Sequence, residues 1–153
     1  MTQQIRNLGV SLPGKPGPNN AITDVAGVSV GHHTLISGHG QLIEGEGPIR
    51  TGVTAIIPSS SDLRSVFAAG YSLNGAGELT GMHWVEESGI LTGPICITNT
   101  HSVGAVHEAV IQWMNQHNLS SDMSFCLPVI GETYDGFLND INGFHIRSEH
   151  VIK

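Results

Sequence analysis

Between Gly93 and Ile130 the chain runs through an apolar stretch, a short polar connection, a helical repeat and a second apolar stretch. That order restricts the fold more than any other feature of the sequence. GPICIT (93–98) has the length and branched content of a buried strand. NTH connects. From Ser102 onward, apolar residues recur at Val103, Val106, Val110, Trp113 and Met114, which is helical spacing with one buried stripe. Ser102 stands where an N-cap is expected, and Asn118 where the helix would stop. SFCLPVI (124–130) is the second apolar run. Strand, helix, strand is the unit of an α/β fold.

The preceding segments fit the same class. ITDVAGVSVGHHTLI (22–36) predicts short strands around a glycine turn, 37–50 predicts a loop, and RTGVTAIIPSS (50–60) predicts a strand centred on GVTAII. Residues 62–70 are open between strand and helix. A helical turn or two is expected from Thr80 or Met82 to Ser88, stopped by Gly89. Residues 1–18, rich in glycine and proline, predict a flexible lead-in, and 19–153 one domain.

Composition narrows the function. Only 12% of residues are charged while 39% are hydrophobic, which argues for a chain that buries most of itself. Six Lys and Arg stand against 13 Asp and Glu, for a net charge of −7. No basic stripe offers a nucleic-acid footprint, and the balance leaves cationic or amine-bearing ligands open. No segment approaches a membrane span and the N-terminus has no apolar signal core, so a cytoplasmic address is expected. Cys96 and Cys126 lie in apolar runs and predict buried free thiols in a reducing compartment.

The nine histidines form no metal pattern. His32 and His33 would face opposite sides of a strand, and on one helix His101 and His107 would lie about 240° apart. No HExxH or CxxC occurs, and no metal is expected. Ser102 sits between strand and helix, where hydrolases place a nucleophile, but the first glycine of G-x-S-x-G is absent. An N-cap explains it better. Asn99, Thr100 and His101 would still aim polar groups at the strand's carboxyl end, where α/β proteins bind ligands. Glu87 reads as a solvated face, and Glu86 is open.

GETYDGFLNDINGFH (131–145) concentrates polar groups behind a buried run. A carboxylate at Glu132 or Asp140, partly desolvated, would suit a protonated amine. Tyr134 could donate to an oxyanion. Asn139 and Asn142 read as turn residues. On residue types alone the stretch is balanced between a polar loop and half of an active site.

Five stretches together tip that balance: NNAITDVAGVSVGH (19–32), RTGVTAIIP (50–58), LNGAGELTG (73–81), WVEESGILTGPICITNTHSVG (84–104) and ETYDGFLNDINGFHI (132–146). They resemble the DmpA/BapA-type aminopeptidases, peptidase family S58, from about Asn19 to the last residues. The resemblance implies a four-layer α/β/β/α sandwich, related to that of ornithine acetyltransferases. It also implies N-terminal-nucleophile chemistry, in which the precursor cuts its own backbone before a serine that becomes the nucleophile. The implied substrates are short peptides, amides or esters with a free amino end, and no cofactor or metal is implied. Glu132 matches the family's residue for the substrate amine and Tyr134 its oxyanion tyrosine; Asn99, Thr100, His101 and Ser102 match a segment near the pocket.

The family's oxyanion asparagine, nucleophilic serine and downstream serine–glutamate pair have no counterpart in these residues. The sandwich is therefore expected to be incomplete, and the chain inactive alone. Its expected partners are the remaining C-terminal α segment, the β chain and further copies in a homo-oligomer. The alternatives are a non-catalytic remnant that binds ligands or itself, and a hydrolase using Ser102 as its nucleophile.

Overall fold

The computed structural model describes residues 5–59, 65–117, 119 and 125–152. The strands are β1 (Ser29–Ser37), β2 (Ile49–Ile57), β3 (Val66–Phe67), β4 (Ile90–Leu91), β5 (Ile95–Asn99) and β6 (Val129–Thr133). The helices are α1 (Met82–Ser88), α2 (Val103–Gln116) and α3 (Ser148–Ile152). One sheet has the order β1-β2-β5-β6; β3 and β4 form a separate antiparallel pair. β2 pairs antiparallel with both β1 and β5, with Ser29 opposite Ile57 and Val53 opposite Thr98. β6 runs parallel to β5, with Ile95 opposite Val129 and Asn99 opposite Thr133. A parallel pair needs a crossover, and α2 supplies it.

The apolar stripe of α2 closes one face of the sheet. Val103, Val106, Val110 and Met114 pack with Val53, Cys96, Ile130 and Ile146, and α3 adds Val151 beside them. The opposite face is covered in part: Val85, Leu91 and Val129, with Met82 and Ile95, make a smaller cluster. Beyond that cluster Ile97 remains 36% exposed. The class is α/β, with α2 and α3 on one side of a mixed sheet and the short α1 covering part of the other side. The chain has no helix long and apolar enough to cross a membrane among the described residues.

The structure corrects several local expectations. Residues 22–36 do not form two strands: Ile22–Asp24 is a 3-10 turn, and one strand, β1, follows. Asp24 explains this, since its carboxylate accepts from the N–H groups of Asn19 and Ala21 and holds the turn instead. Ser102 is not the side-chain cap of α2. A 3-10 turn, Thr100–Ser102, precedes the helix, and Asn99 caps it by accepting from the Ser102 N–H at 3.0 Å. The cap lies three residues earlier because the chain tightens before the helix proper.

The second apolar run becomes strand only at Val129, after Pro128, so Gly131, Glu132 and Thr133 belong to β6 itself. The predicted loop 37–50 is likewise shorter, because β1 includes Ser37 and β2 starts at Ile49. In the open segment 62–70, Val66–Phe67 is strand; residues 62–64 and Asn118 lie outside the described residues.

Other expectations match. α1 spans Met82–Ser88 and ends at Gly89, whose φ of 72° favours glycine and whose N–H donates to the Val85 carbonyl. His32 and His33 do part ways: His32 shares a hydrogen bond with Thr54, whereas His33 stacks on His150 of α3. Cys96 and Cys126 are free and buried.

Candidate active site

The parallel pairing of β5 and β6 sets Thr98 beside Glu132 and Asn99 beside Thr133. The carboxyl ends of two strands therefore meet at the entrance to α2, the usual place for a ligand in an α/β sheet. The Thr100 hydroxyl donates to Glu132 Oε2 at 2.6 Å. Glu132 is half-buried, so its carboxylate is held in one orientation without being sealed from solvent. The other matched residues divide by role. Asn99 is buried, its amide donating to Thr51 Oγ1 at 2.8 Å while its oxygen caps the turn. His101 is exposed and stacks on Phe144, with ring centroids 5.9 Å apart. Ser102 is 2% exposed.

Tyr134 is 60% exposed and packs edge-on against Phe137. Its ring lies over Gly136, where any Cβ would meet the hydroxyl at 2.6 Å. The loop that carries it is fastened at its far end to residues distant in sequence. Asn139 is 1% exposed; its oxygen accepts from the Arg50 N–H at 2.9 Å, and its amide donates to Asp135 Oδ1 at 3.0 Å. Asn139 is thus a buried clamp rather than only a turn residue, whereas Asn142 sits exposed in the 3-10 turn Ile141–Gly143.

Asp140 fastens the same junction. Its Oδ2 accepts from the Gly45 N–H at 2.8 Å and lies 2.9 Å from His145 Nε2, and its own N–H donates to the Pro48 carbonyl. Burial works against ionisation of Asp140. Hydrogen bonds from His145 and from the Gly45 and Gly143 backbone, with the attraction of the imidazole, outweigh it and hold the carboxyl below its ordinary value.

Next to Glu132 lies a cavity of about 560 Å³, within the usual range for small-molecule sites. Glu78, Glu86 and Glu132 line it with His83, and among the described residues no Lys or Arg does. Its apolar lining includes Leu79, Met82, Ile95 and Ile97. Tyr134 is not among the lining residues. A second cavity of about 350 Å³, between β1 and α3, is lined by His33 and His150 and, among the described residues, by no carboxylate. Among the described residues, no group of three or more His, Cys, Asp or Glu could hold a metal ion.

Sequence reasoning missed the inner wall of the larger cavity. Glu78–Thr80 runs along the free edge of β6: Glu132 N–H donates to the Glu78 carbonyl, Thr80 N–H to the Ile130 carbonyl, and Leu79 bridges to Gly131. Its one local signal was the glycine at 131 between Ile130 and Glu132, a position where another chain can approach closely.

Fold and site together define an α/β protein with a carboxylate-lined cavity beside the paired ends of two parallel strands, and the chain belongs to peptidase family S58, whose family model matches residues 20–153. It is 54% identical over 149 residues to the beta-peptidyl aminopeptidase BapA of Sphingosinicella microcystinivorans. That match covers 97% of this chain and 37% of the relative. Among solved structures it resembles the L-aminopeptidase D-Ala-esterase/amidase of Ochrobactrum anthropi, a serine aminopeptidase with a variant of the Ntn-hydrolase fold. The TM-score is 0.82 at 43% identity, covering 95% of this chain and 42% of that one. A Burkholderia sp. beta-aminopeptidase superposes with a TM-score of 0.83 at 45% identity, over 97% of this chain and 41% of that one. The chain thus spans well under half the length of the relatives it matches.

Proposed function

We propose that this chain supplies the substrate-amine half of a serine aminopeptidase that releases N-terminal residues from short peptides, amides or esters. One observation carries the proposal. Glu132, oriented by Thr100 at the paired ends of two parallel strands, lines a cavity with two further carboxylates and, among the described residues, no Lys or Arg. A protonated α-amine is the group such a site attracts, since an ammonium gains from a fixed, partly desolvated carboxylate and from the surrounding negative charge. With the amine held at Glu132, the first carbonyl of the substrate lies a few bonds away, and the Tyr134 hydroxyl donates to the oxyanion that forms there.

Bond cleavage in this proposal comes from a serine exposed as a new N-terminus by self-cleavage and supplied by the rest of the family fold. The same remainder covers the open sheet face, completing a four-layer sandwich in the cytoplasm. The 153 residues alone are inactive on this view. Co-expressing the chain with the C-terminal portion of the Sphingosinicella microcystinivorans relative should give cleavage of amino-acid p-nitroanilides. Glu132→Gln should abolish most of it. Undiminished cleavage by the Gln variant would overturn the amine assignment.

A nucleophilic role for Ser102 finds little support, because the residue is buried and its N–H is held by Asn99. A non-catalytic, self-associating fragment is favoured by the open face, where Ile97 and Leu79 are exposed. A monodisperse monomer in size-exclusion chromatography of the chain alone would dispose of that second reading.

A further inference from the structure

We infer that Leu79 and Ile97 set which N-terminal residue the site accepts, and that they select an aliphatic side chain. The inference rests on Glu132 as the amine anchor and adds what lies beside it. Leu79 does not move freely with the exposed loop before it. Hydrogen bonds bracket it on both sides: Glu78 accepts from the Glu132 N–H at 3.1 Å, and Thr80 N–H donates to Ile130 at 3.0 Å. The Thr80 hydroxyl adds two more, donating to the Pro128 carbonyl at 2.7 Å and accepting from the Ile130 N–H at 2.9 Å. A wall fixed by backbone pairing can discriminate by shape, because yielding would break those bonds.

Glycine at 131 makes the notch. In the β5–β6 register Gly131 sits directly beside Ile97 on the same face. A Cβ at 131 would lie 3.1 Å from Leu79 Cδ1 and 3.9 Å from Ile97 Cγ1. Two apolar side chains therefore flank a backbone position without a side chain, one residue from Glu132. Leu79 is 42% and Ile97 36% exposed, and both line the cavity, so each offers apolar surface to whatever enters. Glu132 lines the same cavity at the end of β6, and an amine bound there with its substrate in the cavity brings the side chain on the neighbouring carbon against this wall. Met82 and Ile95 extend the apolar surface, and Glu78 and Glu86 disfavour an acidic side chain.

The test uses the assembled enzyme, this chain co-expressed with the C-terminal portion of its relative. The substrates are p-nitroanilides of alanine, leucine, phenylalanine and aspartate, and of their β-amino counterparts. Leu79→Ala and Ile97→Ala should each raise the phenylalanine-to-leucine ratio of kcat/KM by about tenfold, chiefly through KM, the scale of one or two methylenes in an apolar pocket. Leu79→Phe should shift the preference toward alanine, and aspartate should remain the poorest substrate throughout.

Ratios within about twofold of wild type in both alanine variants would overturn the inference. Should Leu79→Ala not assemble, Leu79→Met keeps the volume; it should favour straight over branched side chains, and an unchanged order there overturns the inference equally. Glu132→Gln separates the two ideas. It should depress every substrate without altering the ratios. If it is fully active while the Leu79 variants change the ratios, the anchor is wrong and the wall stands.

Discussion

Replacing Asn139 by alanine isolates the junction that holds the Tyr134 loop. Asn139 is 1% exposed and makes two side-chain hydrogen bonds across the fold, to the Arg50 N–H and to Asp135. Losing the bond from a backbone donor costs about 1 kcal/mol, and the bond to a half-exposed carboxylate about the same. The Arg50 N–H has no strand to replace the lost acceptor, because β5 pairs with β2 only from Val53 to Ile56. A partly buried donor left without a partner adds about 1 kcal/mol more. The sum is about 3 kcal/mol, or roughly a hundredfold in an equilibrium constant.

Urea unfolding followed by tryptophan fluorescence should show that loss, and exchange protection of the Arg50 amide should fall by about two orders of magnitude. Asn142→Ala serves as the reference: Asn142 is exposed in the adjacent 3-10 turn, so its loss should stay within about 0.5 kcal/mol. If both variants cost the same, or if Arg50 exchange does not change, Asn139 is not the clamp.

Three further outcomes follow from the same geometry. Thr100→Val removes the donor that orients Glu132; in the assembled enzyme kcat/KM for amino-acid p-nitroanilides should fall about tenfold with KM carrying most of it, and an unchanged KM would count against the pairing. Asp140 is held below its ordinary value of 3.8, so its ionised form stabilises the fold fully above that value, and the contribution is lost as pH falls through the lower folded value. The unfolding midpoints of wild type and Asp140→Asn should therefore differ most near neutral pH and converge in strong acid; a constant difference would refute the linkage. Burial pushes the Cys96 thiol up to about 12 and raises that of Cys126 as well; iodoacetamide near neutral pH should leave Cys96 unlabelled in the native protein and label both once denaturant is added.

Local sequence determined much of this protein. The helical period from Val103 to Met114, the glycine stop at 89 and the apolar run in GVTAII are each set within a few residues, and each element formed where that pattern lies. The matched stretches likewise pointed to the family that the comparisons show. What sequence could not separate were residues of the same type with different partners. Asn139 and Asn142 look alike in a polar loop, yet one is buried against Arg50, 89 positions away, and the other faces solvent. Asp140 acquired its partner at Gly45, 95 positions away, in the same manner.

The capping of α2 and the cavity wall belong to the same category. Ser102 carried every local mark of an N-cap, but the tighter turn before the helix gave that role to Asn99, which also reaches across to Thr51 on β2. Leu79 stood in a glycine-punctuated segment with no periodic signal, and only its pairing along the edge of β6 set it over Gly131 beside Glu132. Helical periodicity and turn chemistry act over a few residues and are written in the chain. Strand neighbours, buried hydrogen bonds and cavities arise from segments that meet only after folding, and the tertiary structure alone decides them.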